Sequence, residues 1–265
     1  MNCTCVFLLI FALLSGRANA EPDSVLLENN SSAKQDVVAA SGVRCDKSPF
    51  LVAIDTGHSP AKPGATSARG KKEYIYNKEF VLALVEALTD RGVASYRINA
   101  REQELGLRQR RKVAIAQKAQ VFISIHHDSV QEHYLKPWEF EGQRRQYCDS
   151  FRGFSVFVSG TSAQYQASIA LAEKISTQLR LRGDRPTLHH AEPIKGENRQ
   201  LIDSDAGIYR WDGLGVLKGS AIPAVLLEVG VIVNREEELN LQDPQVRRQK
   251  AAAIADGIVA FCSEQ

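Results

Sequence analysis

Four residues scattered along the chain carry the chemistry this sequence is able to do: His58, Glu73, His126 and Glu228. His126 follows the apolar run Val121-Phe122-Ile123-Ser124-Ile125, His58 comes just after Phe50 to Ile54, and Glu228 ends Pro223-Ala224-Val225-Leu226-Leu227. An apolar run bounded by polar residues reads as a strand covered on both faces, and in open α/β sheets ligands bind beyond the carboxyl ends of such strands. A loop rich in Gly, Pro, Ala and Ser, from Ser59 to Lys72, delivers Glu73. Two imidazoles and a carboxylate form an N/O set suited to Zn²⁺, and three protein ligands leave a fourth tetrahedral position for water. Hydrolysis of an amide there also needs a base to take the water's proton and return it to the departing nitrogen, a task that falls to Glu228.

Each residue also has a plainer explanation. A His beside a strand is often a hydrogen-bonded structural residue, and a Glu in a first helical turn is accounted for by the helix dipole. A paired carboxylate is the ordinary reading of Glu228, but no basic residue lies near it in sequence. His127 competes with His126 as a ligand; alternation along a strand sends the two to opposite faces. His133, His189 and His190 read as exposed loop residues outside the ligand set.

The elements that must position these groups alternate. Strands are expected at Phe50 to Ile54, Val93 to Ile98, Val121 onward, Gly153 to Ser159 and Pro223 to Leu227. Helices are expected from Glu73 to a stop at Gly92, over Leu107 to Ala119, over Ser162 to Leu181, and from the Glu236-Glu237-Glu238 run to about Phe261. This order argues for an α/β fold with right-handed crossovers and a largely parallel sheet. Two irregular stretches, Val130 to Arg152 and Asp184 to Gly215, interrupt it, and loops of such length are usually functional or mobile. The tandem glutamates read as a soluble helix surface, and Arg108, Arg110, Arg111 and Lys112 as a solvated helix face.

With 265 residues, 44% hydrophobic and 24% charged, the chain fits one domain able to bury a full core. A net charge of +2, with no long basic run, argues against a nucleic-acid partner. Residues 1–20 read as an export signal, with an apolar run from Cys5 to Leu14 and a small-residue cleavage site at Ala18-Asn19-Ala20. That run falls short of the ~20 apolar residues of a membrane span. Residues 21–44 are polar and aperiodic, a flexible leader with a glycosylation pattern at Asn30. Cleavage would leave Cys45, Cys148 and Cys262 in an oxidising compartment. Cys45 precedes the first strand and Cys262 ends the last helix, and domain termini often lie close together, so Cys45 is expected to pair with Cys262.

The segments Ile54-Asp55-Thr56-Gly57-His58, Glu73 with Asn77, Phe122-Ile123-Ser124-Ile125-His126, and Pro223 to Gly230 with Asn234 resemble the zinc-dependent N-acetylmuramoyl-L-alanine amidases of the AmiA/AmiB/AmiC type, the amidase 3 family. Leu107 with Arg110, before Ala114, matches a further family pattern. The resemblance runs from about Phe50 to Phe261, and departs from the usual small residue and Asn after the third ligand, where this chain has His127-Asp128. It implies a twisted, mostly parallel sheet between helical layers (phosphorylase/hydrolase-like), Zn²⁺ on His58, Glu73 and His126, and Glu228 as the catalytic residue. It implies a catalytic domain over residues 45–265, exported, most simply to the periplasm, and acting on the muramoyl–L-alanine amide of peptidoglycan. Some relatives are held inactive by a covering segment and switched on by an activator protein, a role open to Val130 to Arg152. The rivals are a zinc peptidase or carboxypeptidase, with Arg110, Arg199 or Arg210 holding a peptide carboxylate, and a non-catalytic wall-binding homologue.

Overall fold

Alternation of side chains along each strand decides which face of the sheet every residue joins. In β1 (Leu51–Thr56), Val52 and Ile54 join one apolar cluster while Ala53 joins another. In β3 (Val121–Asp128), Val121, Ile123 and Ile125 point to the first side and Phe122 to the second. The computed structural model describes Cys45, Asp46 and residues 49–265; the expected signal peptide and leader lie outside the described residues.

The chain runs β1, α1 (Glu73–Thr89), β2 (Ala94–Ile98), α2 (Leu107–Ala116), β3, then the hairpin strands β4 (Lys136–Phe140) and β5 (Gln143–Tyr147). It continues through β6 (Ser155–Val158), α3 (Tyr165–Leu181), β7 (Gln200–Asp203), β8 (Ile208–Arg210), β9 (Ala224–Val231), α4 (Arg235–Gln242) and α5 (Pro244–Ser263). The sheet has seven strands in the order β2-β1-β3-β9-β6-β8-β7. Pairings β2/β1, β1/β3, β3/β9 and β6/β8 are parallel, and β9/β6 and β8/β7 antiparallel, so the expectation of a mostly parallel α/β sheet holds.

Three helices cover the first face. Tyr76, Phe80, Leu84 and Leu88 of α1 pack with Leu171, Ile175 and Leu179 of α3 and with Ile254 and Ile258 of α5 over the inward strand residues. The second face is covered more thinly, by Ala114 of α2 and by Val216 and Leu217, against Ala53, Phe122, Phe157 and Leu226. It is this thinner side that leaves room for a site.

The single closing helix expected from the glutamate run is two helices. Asp243 caps α5, its carboxylate accepting from the Gln245 amide at 2.7 Å, with Pro244 at the first helical position, where its missing N–H costs nothing. Asn234 caps α4 by accepting from the Glu236 and Glu237 amides at 3.1 and 3.0 Å. The tandem glutamates are also not all surface. Glu238 is fully buried and pairs with Arg69 at 2.8 Å, and Glu237 accepts from the Gly153 and Val231 amides.

The stretch 130–152 contains a hairpin turning at Glu141 and Gly142, both at positive φ, which packs on the loop that delivers Glu73. Trp138 donates to the Ala68 carbonyl at 3.0 Å, and Arg235 lies over the Tyr147 ring at 3.8 Å. Cys45 and Cys262 form the expected disulfide, closing 217 residues of chain, while Cys148 is a buried thiol. Cross-links over such spans typically stabilise by about 2–5 kcal/mol.

Candidate metal centre

His58, Glu73 and His126 meet on the thinly covered face, their donor atoms all within 4.8 Å of one another. His58 Nε2 lies 3.0 Å from Glu73 Oε2, and His126 Nδ1 lies 3.0 Å from Glu73 Oε1. Glu73 opens α1, and its carboxylate is fixed from several sides: Ala65 N donates to Oε2 at 3.0 Å, and Asn77 Nδ2 donates to Oε1 at 3.2 Å. Burial alone would raise the Glu73 pKa, but hydrogen bonds with His126 and His58 outweigh it and hold the carboxyl well below the usual range. Two imidazole nitrogens and an ionised carboxylate converging on one point fit a divalent zinc ion. The group borders a cavity of about 400 Å³ lined also by Asp55, Leu107, Leu214 and Leu226.

His58 sits beyond β1 with φ at 67°, a left-handed conformation that costs a non-glycine residue roughly 1–2 kcal/mol. Arg110 holds it there. Far from lying on a solvated face, Arg110 is 4% exposed and reaches from α2 to the Asp55 carboxylate at 2.9 Å, the Thr56 carbonyl at 2.6 Å and the His58 carbonyl at 2.7 Å. Asp55 also accepts from Ser124 Oγ at 2.8 Å, which ties the ends of β1 and β3 together. Burial lifts the Asp55 carboxyl above its ordinary value even with Arg110 beside it. Arg110 is thus committed inward, and Arg210 is held by Asp212 at 2.7 Å; of the three arginines considered for a peptide carboxylate, Arg199 alone lines a cavity with Glu228.

His127 points the other way, under α1. Its Nδ1 is 2.7 Å from Asn77 Oδ1 and its ring lies against Tyr76 and Phe80. Burial pushes its pKa down to about 3, which keeps it neutral. It does not share the point where His58, Glu73 and His126 converge.

Glu228 is on β9, paired in register with His126 on the neighbouring parallel strand, so the two side chains stand side by side on one face. His126 and Glu228 lie inside longer strands than expected, β3 running to Asp128 and β9 to Val231. Glu228 Oε2 is buried without a hydrogen bond. Burial, then repulsion by Asp128 and Glu73, pushes the Glu228 carboxyl well above the usual carboxylate range. A carboxyl whose proton affinity is raised in this way is suited to taking and returning a proton.

His133 is exposed, as expected, but His189 and His190 are buried, against expectation. They form a short 3₁₀ turn that folds back on Asp128, with His190 Nε2 2.8 Å from Asp128 Oδ2 and its Nδ1 2.9 Å from Glu197 Oε2. Burial opposes the charge on His190, yet Asp128 and Glu197 raise its pKa to about 9. Their partner lies over 60 residues away in sequence, which is why a local reading placed both on the surface. Both irregular stretches reach the site: Leu214 and Gly215 line the cavity with His58 and His126, and Val130 and Gln131 line the one that contains Glu228, while no residue of β4 or β5 lines either.

Comparison with known proteins agrees with this architecture. The probable N-acetylmuramoyl-L-alanine amidase AmiB of Haemophilus influenzae is 27% identical over 240 residues, 81% of this chain and 52% of that protein, so the aligned region spans about half the relative's length. The crystal structure of the N-acetylmuramyl-L-alanine amidase Ami1 of Mycobacterium smegmatis superposes with a TM-score of 0.65 at 21% identity, covering 85% of this chain and all of that one. The CwlD amidase of Clostridioides difficile, solved in complex with the GerS lipoprotein, gives a TM-score of 0.59 at 22% identity, over 82% of this chain and all of CwlD. Residues 52–260, nearly the whole described fold, match the amidase 3 family, described as N-acetylmuramoyl-L-alanine amidase. The protein whose two histidines and glutamate gather beside a buried carboxyl is therefore a member of the amidase 3 family of N-acetylmuramoyl-L-alanine amidases.

Proposed function

We propose that this protein is a zinc-dependent amidase that hydrolyses the bond between the lactyl group of N-acetylmuramic acid and L-alanine in bacterial peptidoglycan. The observation that carries the proposal is the convergence of His58, Glu73 and His126 on one point, with Glu228 in register beside His126. Family membership supplies the substrate class. Zinc held by the three ligands supplies a Lewis acid for the scissile carbonyl and lowers the pKa of water.

The chain's own groups do the rest. Glu73, ionised and anchored by Ala65 and Asn77, offsets the charge of the ion and fixes both imidazoles. Arg110 holds the backbone of the His58 turn in its strained conformation. Glu228 takes a proton from the attacking water and delivers it to the amine of L-alanine, its high proton affinity keeping the proton until the amine departs. The open cavity beside the ligands receives the glycan-peptide junction.

The protein acts after export, most simply in the periplasm, with residues 1–20 as the signal and 45–265 as the catalytic domain. No helix among the described residues is long and apolar enough to cross a membrane. An activator protein is the proposed partner beyond the substrate, in keeping with a relative solved with a lipoprotein bound, and the 130–152 hairpin is a proposed contact for it. The deciding experiment is digestion of purified peptidoglycan with and without chelator. Release of intact stem peptides bearing free L-alanine amino termini, abolished by chelation and restored by Zn²⁺, is the expected result; cleavage within the stem peptide would replace the proposal with a peptidase.

A further inference from the structure

Beside the first cluster, two residues further along β3, lies a second group of histidine and carboxylate side chains that the proposed reaction leaves without a ligand role. We propose that Asp128, His189 and His190 form a second site for a divalent transition-metal ion, separate from His58, Glu73 and His126. Their donor atoms also lie within 4.8 Å of one another, and all three residues are buried. His190 Nε2 and His189 Nε2 stand 2.8 and 3.4 Å from Asp128 Oδ2, spacings close to the 3.0 Å separations in the first cluster. Two imidazoles and one carboxylate repeat its donor set.

Two further features point to an ion rather than to a plain hydrogen-bond network. Each imidazole is oriented from behind: His190 Nδ1 is 2.9 Å from Glu197 Oε2, and His189 Nδ1 is 2.8 Å from Thr187 Oγ1. The Glu197 carboxylate can only accept from Nδ1 of His190 when ionised, which leaves that ring's Nε2 lone pair for an ion, and the Thr187 hydroxyl holds the His189 ring in place and can accept from its Nδ1 in the same way. The second feature is His189 itself, 2% exposed, whose Nε2 is buried without a hydrogen bond although it faces Asp128. A buried polar atom left unpaired is expensive. Hydrogen bonds from the two ring nitrogens of His190 to Asp128 and Glu197 satisfy His190 but leave His189 Nε2 without one, whereas an ion satisfies both. Bound there, the ion fastens the 184–215 segment to β3, at the wall of the cavity that contains Glu228.

The test is zinc stoichiometry of the full-length exported protein, stripped with chelator, dialysed against Zn²⁺ and assayed for metal and protein. Two ions per chain are expected for the wild type, one for His189→Ala, one for His58→Ala, and none for the double variant. The reading is overturned if His58→Ala holds no ion, or if His189→Ala holds as many ions as the wild type. Should His189→Ala fail to fold by circular dichroism, the near-isosteric Thr187→Val is read instead. It is expected to weaken the second ion about tenfold and leave the first unchanged, and an unchanged second affinity overturns the proposal. Loss of the first ion alone, with the second retained, would count against the catalytic centre and not against this one.

Discussion

His126 and His127 are neighbours in one strand and occupy different worlds. His126 faces the thinly covered side, beside Glu73 and in register with Glu228. His127 faces the three-helix side, sealed under Tyr76 and Phe80, neutral and hydrogen-bonded to Asn77. The strand's two-residue period separates a residue for chemistry from a residue for packing, although residue type is the same. Asn77 bridges the two sides, since it contacts His127 with its oxygen and Glu73 and the Gly57 carbonyl with its nitrogen. The contrast teaches that burial on the helix side converts a potential ligand into a brace for the proposed ones.

Substitutions on the two faces should therefore fail in different ways. The largest effect is expected for Glu228→Gln, which should lower kcat on peptidoglycan about 10²–10⁴-fold while leaving zinc content unchanged. Full activity in a zinc-loaded Glu228→Gln protein would break the assignment of that face to catalysis. His126→Ala should lose the first ion and, with it, activity, yet melt close to the wild-type metal-free temperature. Asn77→Ala tests the bridge: loss of a partner of the Glu73 ligand should weaken zinc at the first site about 10–100-fold, read by competition with a chelating dye.

His127→Ala belongs to the other face. It should cost about 2–3 kcal/mol in denaturant unfolding of the metal-free protein, from a vacated volume and an unpaired Asn77. If it instead abolished zinc binding outright with stability intact, the division between the faces would be wrong. The gentlest effect is on pH. Because the folded pKa of His127 is depressed to about 3, its contribution to stability is complete above an unfolded value near 6.5 and is lost as pH falls below it. One proton accounts for at most about 1.4 kcal/mol per pH unit, and that part of the acid slope should vanish in His127→Phe.

Much of the parallel half of the sheet was legible because its strands are continuous apolar runs and its helices have clear stops. The gathering of His58, Glu73 and His126 was legible for the same reason: each follows such a run or opens a helix. What escaped reading depended on partners distant in sequence. Arg110 looks like one of several surface arginines until Asp55, 55 residues away, takes it inward. His189 and His190 look like loop residues until Asp128 does the same. The break between α4 and α5 did carry a local signal, Asp243-Pro244, obscured by the charged run before it. In the hairpin, Pro137 inside β4 hid an otherwise plausible strand, since it has no N–H to offer a ladder.

Gly57 and Gly64 bring a different consequence. A methyl group on Gly57 would come within 2.5 Å of His126 Nε2, and one on Gly64, at φ 72°, within 2.2 Å of Glu73 Oε2. Main chain itself is therefore the mould into which the imidazole and the carboxylate are pressed. A loop so constructed admits no side chain at these two points, and the proposed ligand His58 lies between them. Efforts to retune this centre for another ion or another bond have to come from less buried side chains that share its cavity, such as Leu107 and Leu214.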